Sequence, residues 1–258
     1  MENKHIAEGQ HNIEIQENLK KWNNKPLLKA IYLEFYKLIE SQLNYKIEGK
    51  IVELGSGIGN MKMVVPNVIC TDIFNNPWID QVENAYKLSF ENESVSNLIL
   101  FDVFHHLEFP GTALNEFRRV LKKGGRVIIF DPYISLLGLI VYGLFHHEPI
   151  GLGKQINWFA DENIKDNYYA AQGNATRIFG SKKYSAKLND WEIINSKKLS
   201  AISYILSGGY SKWQLYPYKL LPLFKKAELI FDFFPLLFAT RTIIVLEKNS
   251  QLTFAVSY

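Results

Sequence analysis

The chain has 258 residues, 47% of them hydrophobic and 21% charged, with a formal net charge of +3. That imbalance is too weak to argue for a nucleic-acid partner, and no arginine-rich stripe appears. Cys70 is the only cysteine, so no internal disulfide can form, and a reducing, cytoplasmic setting is expected.

The opening stretch, MENKHIAEGQHNIEIQENLKKW, is polar and does not read as a secretory signal. From about residue 12 to 42 the pattern is helical. Leu27, Leu28, Ile31, Phe35, Leu38 and Ile39 recur at a period near 3.6, and Pro26 suits a first turn. From Lys50 onward short apolar runs take over: KIVEL, NVICTDI, NLILFDV, GRVIIFDP and, near the end, TRTIIVLEK. They are almost continuous in Val, Ile and Leu, as in strands buried on both faces of a parallel sheet. GTALNEFRRVLKKGG, between the third and fourth runs, carries Ala113, Leu114, Phe117, Val120 and Leu121 on one helical face, and Gly124-Gly125 is expected to close that helix. Strand, helix and strand at this spacing make a parallel crossover, so the fold class is α/β, doubly wound.

Two segments do not fit the repeat, at about 133–187 and 200–237, on either side of a strand expected at WEIINSKKL. They hold the apolar stretches ISLLGLIVYGLF and YPYKLLPLFKKAELIFDFFPLLFA. Neither reaches the roughly 18–20 uninterrupted apolar residues of a membrane span. The favoured reading is a buried helix and a lid. The sharper alternative is contact with a membrane surface or a greasy substrate.

IVELGSGIG, residues 51–59, puts glycines at 55, 57 and 59 directly after the first strand. Such a turn bares backbone to a ligand at the carboxyl edge of the sheet. The dinucleotide fingerprint Gly-x-Gly-x-x-Gly needs its third glycine where Asn60 stands. Glu53 would repel a pyrophosphate and attract a cation. The ligand expected is therefore a positively charged nucleoside, and an oxidoreductase is the weaker alternative. Glu53 as a structural ion pair with Lys62, and Asp72 as a cap or turn residue, are the plainer readings of those acids.

VELGSGIG resembles the first motif of class I S-adenosylmethionine-dependent methyltransferases of the type 11 kind. VICTDI, NAYKLSFENESVSNLILFDVFHHL and ALNEFRRVLKKGGRVIIFDP are similar, in order, to the later motifs of that family. The resemblance covers about residues 51–132 and implies a Rossmann-like, seven-stranded, mostly parallel sheet with an antiparallel last strand. It further implies a helical N-terminal cap at 1–45 and a cofactor-binding methyltransferase domain at 46–258, with lid inserts at the two odd segments. Carried over, the resemblance has Gly55, Ser56, Gly57 and Gly59 facing the methionine part of S-adenosylmethionine, with Glu53 holding the turn or the ammonium group. Asp72 would take the ribose hydroxyls and Ile73 the adenine face. Asn84 and Ala85 match the position of an aspartate-alanine pair near the adenine amino group, and Asp102 would line the cleft. Asn84 and Asn97 depart from the acids of the family, which keeps open a non-catalytic cofactor-binding partner protein. The short stretch from Gly59 to Asp72, with Pro66 inside it, leaves room for only a clipped first helix.

Methyl transfer asks the protein for alignment, exclusion of water and sometimes a base. The candidates are His105, His106 and Asp131, with His106 also matching a histidine of structural role in the family. His146, His147 and Glu148 read poorly as a metal site, because adjacent histidines do not share a helical face. The inserts are rich in aromatic residues, among them Trp158, Phe159, Tyr168, Tyr169, Tyr204 and Tyr210, then Trp213, Tyr216 and Tyr218. They suit a pocket for a small or lipid-like acceptor, or a plain lid core. LSGGYSKW, at 206–213, reads as a glycine-pair turn able to hinge that lid. Neither the acceptor nor the oligomeric state can be read from the sequence.

Overall fold

The computed structural model describes residues 2–161 and 169–249. Its N-terminal helical stretch is two helices, α1 (Glu2–Asn24) and α2 (Pro26–Glu40). The break falls at Lys25, because Pro26 has no N–H to continue α1 and instead occupies the first turn of α2. The strands follow as β1 (Lys50–Leu54), β2 (Ile69–Asp72), β3 (Gln81–Val82), β4 (Val95–Phe101) and β5 (Leu121–Pro132). The last two are β6 (Trp191–Leu199) and β7 (Arg241–Lys248).

They form one seven-stranded sheet in the order β3-β2-β1-β4-β5-β7-β6. Pairs among β1 to β5 are parallel, and β7 runs antiparallel to both β5 and β6. This is the Rossmann-like sheet expected, with the last strand reversed. β1 and β2 are joined by a single 3₁₀ turn, Asn60–Met63, which stops ahead of Pro66 as the clipped first helix requires.

Between β4 and β5 lies α3 (Pro110–Val120). It ends earlier than the glycine pair suggests. Leu121 already pairs with Val95, and the register slips before Asn97 meets Arg126. Gly124, at φ 70°, therefore serves an irregularity inside β5 rather than a helix stop. Asn97 sits inside β4, where it is wholly buried and accepts a 2.8 Å hydrogen bond from the Asn44 N–H. A neutral amide fills that buried position with less desolvation cost than a carboxylate.

Alternate residues of the central strands enter opposite cores. Leu98, Leu100, Val127 and Ile129 meet α3 and its neighbours on one face. Ile99, Phe101, Ile128 and Phe130 meet α2 on the other, against Leu28, Ile31, Phe35 and Ile39. Each such fully buried side chain contributes about 1.5–3 kcal/mol. Glu53 follows Ile51 onto the α2 face, so the acid that breaks the apolar run of β1 points toward the helical layer.

The segment after β5 holds α4 (Leu136–Leu144) and α5 (Asn174–Phe179). The segment between β6 and β7 holds α6 (Ile202–Leu206), α7 (Leu221–Phe231) and α8 (Pro235–Phe238). The expectation of a buried helix at α4 is corrected: within the helix only Gly138 and Tyr142 are buried, while Leu139, Ile140 and Leu144 are exposed. Composition alone cannot separate an apolar helix that finds a partner from one that does not. Among the described residues, no helix is long and apolar enough to cross a membrane.

Candidate active site

The turn after β1 is knitted to β2 by its own polar atoms. The Ser56 N–H donates to Thr71 O at 2.8 Å, and Ser56 Oγ accepts from the Thr71 N–H at 3.1 Å. Gly55, Gly57 and Gly59 all have positive φ, 67°, 55° and 66°, a region that side-chain-bearing residues rarely enter. They do different jobs. A Cβ on Gly55 would lie 2.4 Å from Val103 Cγ2, and one on Gly59 would lie 2.6 Å from Trp78 O. A Cβ on Gly57 would meet nothing within 4 Å, so open space lies over this residue, whose N–H is engaged by Asp72.

Glu53 stands beneath that turn, 4% exposed, with Cys70 Sγ 3.7 Å from its Oε2. Burial pushes its carboxyl up to about 7, against hydrogen bonds from Ser56 and Cys70 that favour the ionised form. Lys62, the ion-pair partner considered from the sequence, reaches Asp80 instead at 2.7 Å. Among the described residues no basic side chain pairs with Glu53.

At the end of β2, Asp72 accepts from the N–H groups of Gly57 at 3.0 Å and Ile73 at 2.7 Å, which hold its carboxylate against the glycine turn. His11 of α1 lies 3.3 Å from Asp72 Oδ1, and the next residue, Asn12, lines a cavity of about 560 Å³ with Gln16, Asn76 and Trp78. The first helix therefore reaches the carboxylate of Asp72. Ile73 is half-exposed beside it. Asn84 accepts from the Tyr86 N–H at 2.9 Å, so its oxygen closes a turn and its amide N–H₂ is what remains to offer a ligand. Ala85 packs against the core under α3.

Beyond the ends of β4 and β5 two polar sets adjoin. On the α2 side, Asp102, at φ 57°, pairs with the buried Arg241. The Arg241 guanidinium stacks 4.6 Å from the Tyr204 ring, and the Tyr32 ring lies 5.8 Å from Tyr204 and 5.2 Å from Tyr210. Asn60 lies beside both Tyr36 and Tyr210. Burial holds the Tyr32 and Tyr36 phenols well above their usual range, so both are neutral. Arg241, Tyr32 and Tyr36 were not singled out by the sequence pattern. They lie in the last strand and the N-terminal helix, and only the sheet order brings those elements together.

The other set is centred on His105, 2% exposed. Its Nδ1 lies 2.9 Å from Asp131 Oδ1 and its Nε2 lies 3.4 Å from Glu148 Oε2. Burial opposes a charged ring, but these carboxylates outweigh it and lift His105 to about 10. His106, one residue on, is pushed down to about 4 by burial and by the charge of His105. Its Nδ1 faces Tyr169 O at 2.9 Å, which assigns the proton to that nitrogen and leaves Nε2 the acceptor. Ligand atoms of His105, His106 and Glu148 lie within 4.8 Å of one another, close enough to share an ion.

The insert aromatics divide. Tyr204 and Tyr210 join Tyr32, whereas Trp158 is buried against Gly111 and stacks on Tyr184 in the core. Trp213 and Tyr218 face outward, Tyr216 packs on Phe224, and Tyr168 lies outside the described residues. The glycine-pair turn is present, with Gly208 and Gly209 at positive φ. Lys25 Nζ donates to Gly209 O at 2.8 Å and ties the turn to the junction of α1 and α2.

Residues 52–129 match a family model described as a methyltransferase domain. No curated protein sequence matches the chain. A solved structure from Thermotoga maritima, described as an S-adenosylmethionine-dependent methyltransferase and possible histamine N-methyltransferase, aligns at 16% identity and a TM-score of 0.54. It covers 90% of this chain and 94% of its own. Geranyl diphosphate C-methyltransferase from Streptomyces coelicolor aligns at 12% identity and a TM-score of 0.50, covering 83% and 75%. A putative methyltransferase solved with the Trm112 activator of Haloferax volcanii aligns at 11% and 0.50, covering 91% and 94%. At these identities the likeness is one of fold.

Proposed function

We propose that this chain, whose residues 52–129 are a methyltransferase domain on the class I S-adenosylmethionine-dependent fold, binds S-adenosylmethionine at the β1–β2 turn. It then moves the methyl group onto a small, partly apolar acceptor. The observation that carries this reading is the pairing of open space over Gly57 with Glu53, a buried carboxylate without a basic partner among the described residues. A ligand bearing ammonium and sulfonium charge would ionise Glu53 and stabilise it. Asp72 would accept from the ribose hydroxyls, displacing His11, and Ile73 would cover the adenine. Gly59 closes on Trp78 O and does not bare backbone to a pyrophosphate, which weighs against the oxidoreductase alternative.

The sulfonium supplies an activated methyl. What the chain adds is alignment, with the acceptor placed in this reading against the cluster of Tyr32, Tyr204 and Tyr210 that packs beside the Asp102–Arg241 pair. Neutral aromatic walls suit a step in which a positive charge is extinguished. His105 already carries a proton and engages Asp131, so His106 is the candidate able to accept one from the acceptor. In this reading residues 1–45 cap the cofactor, and the segments at about 133–187 and 200–237 cover the acceptor.

Calorimetric titration with S-adenosylhomocysteine tests it. Binding to the wild type is expected, and Asp72→Ala should weaken it about 100-fold, since it removes charge-assisted hydrogen bonds. No heat of binding, or equal affinity in the variant, sinks the reading.

A further inference from the structure

The segment from α7 to α8 and the facing helix α4 form an apolar surface that nothing among the described residues covers. Phe233 is 81% exposed and Leu236 71%, and Leu229 and Ile230 on α7 also face out. On α4 the same is true of Leu139 and Leu144. The two sides are joined: Ser135 Oγ at the start of α4 donates to Leu237 O in α8. Soluble monomers rarely leave so many large apolar side chains adjacent, and such faces usually mark an interaction surface.

Charge says what kind. The acids of this segment turn inward: Glu228 is buried against Lys225 and the Ser203 N–H, and Asp232 accepts from the Ser200 N–H. Apart from Lys225, which pairs with Glu228 and Glu34, the lysines turn outward. Lys212, Lys219 and Lys226 are exposed, and Lys226 stands one helical turn from Leu223 and from Ile230. Tyr218, exposed in the turn that leads into α7, stands beside this face, and aromatic residues with a polar atom favour the level of lipid headgroups. A second copy seated on this face would bring lysine against lysine. An anionic bilayer answers both features, since it takes up the apolar side chains and attracts the basic rim.

We propose that the face built from α4, α7 and α8 docks on an anionic lipid bilayer. The position of that face has a chemical consequence. α4 follows Asp131 at the end of β5, and α8 precedes Arg241 at the start of β7, so the docked edge is the edge that carries the candidate acceptor space. The acceptor is then an amphiphile drawn from the bilayer. This consequence rests on the methyl-transfer reading, while the docking itself does not.

The test is co-sedimentation of the full chain with phosphatidylcholine vesicles, with and without phosphatidylglycerol. S-adenosylhomocysteine binding is measured on the same samples. The wild type should pellet with the anionic vesicles and be released by salt. Phe233→Ser with Leu236→Ser should lower partitioning by about ten-fold or more, and Lys219→Gln with Lys226→Gln should remove the preference for phosphatidylglycerol. In both variants cofactor-product binding should be unchanged. Vesicle binding without cofactor-product binding upholds the docking and overturns the amphiphile assignment. A wild type that stays in solution with every vesicle overturns the docking. So does a dimer in light scattering that the serine variant converts to monomer, because the face then covers itself.

Discussion

The glycine turn between β1 and β2 and the α4–α7–α8 face stand at the same edge of the sheet, yet they handle polarity in opposite ways. At the turn, charged and polar groups are drawn inside: Glu53 and Asp72 are buried, and backbone N–H groups hold the carboxylate of Asp72. On the helical face, large apolar side chains are left outside, and the acids alone are tucked in. Each arrangement costs stability in the isolated chain, by desolvation in one case and by hydrated hydrocarbon in the other. On the two proposals above, each cost would be relieved by something bound, a cationic nucleoside at the turn and an apolar layer at the helical face, so the two regions would answer to ligands of opposite character.

The sharpest way to break the comparison is at the turn itself. Gly55→Ala forces a side chain into positive φ and against Val103 Cγ2, which should cost about 2–4 kcal/mol in chemical denaturation. A neutral result would mean that the turn is not the rigid cradle described.

Glu53→Gln should act in the other direction. The carboxyl is raised from 4.5 to about 7 in the folded chain, so its contribution to stability is complete below the unfolded value and is lost as pH rises through 7. Thermal melts at about pH 8 should find the glutamine variant more stable than wild type by up to about 3 kcal/mol, with the gap closing toward pH 4. Its affinity for S-adenosylmethionine should fall at the same time. A variant that is both less stable and unaffected in binding would remove the idea that this acid is held for a cation.

On the helical face the expectation is a small stability effect. Phe233→Ser with Leu236→Ser should change unfolding free energy by about 0.5 kcal/mol or less, as for exposed positions generally. A loss of several kcal/mol would mean that these side chains are packed in solution and that the contrast between the regions is false.

The smallest effect concerns α1. Burial pulls the His11 imidazole down, but the hydrogen bond and charge of Asp72 outweigh it and leave its pKa raised. The clasp is therefore complete below 6.5 and is lost as pH rises through the raised value. His11→Ala should tighten S-adenosylhomocysteine binding by about three-fold near pH 6 and have no effect near pH 9, by calorimetry. Equal effects at both pH values would detach His11 from the ribose position.

Much of this molecule follows from local pattern. β1 falls on its apolar run, because a strand buried on both faces needs continuous hydrophobic side chains, whereas β6, at the sheet edge, keeps polar residues on exposed positions. The glycine turn was legible because positive φ and close approach leave no alternative to glycine, and a lone acid in a buried run is costly enough to require a reason. The role of Gly124 was not legible because a strand pairing across the sheet, and not the residue itself, decided its surroundings.

The sequence by itself determined the sheet, its crossovers and the carboxylates that border the cofactor turn, since these depend on periodicity and on residues near in the chain. Only the tertiary structure decided that Arg241 would meet Asp102, that Tyr32 would join Tyr204 and Tyr210, that His105 would sit between Asp131 and Glu148, and that the apolar helix α4 would face outward. Those outcomes depend on which elements the sheet order sets side by side. Hydrophobicity drives burial without direction, so the chain's composition cannot say which apolar surface will be the one left uncovered.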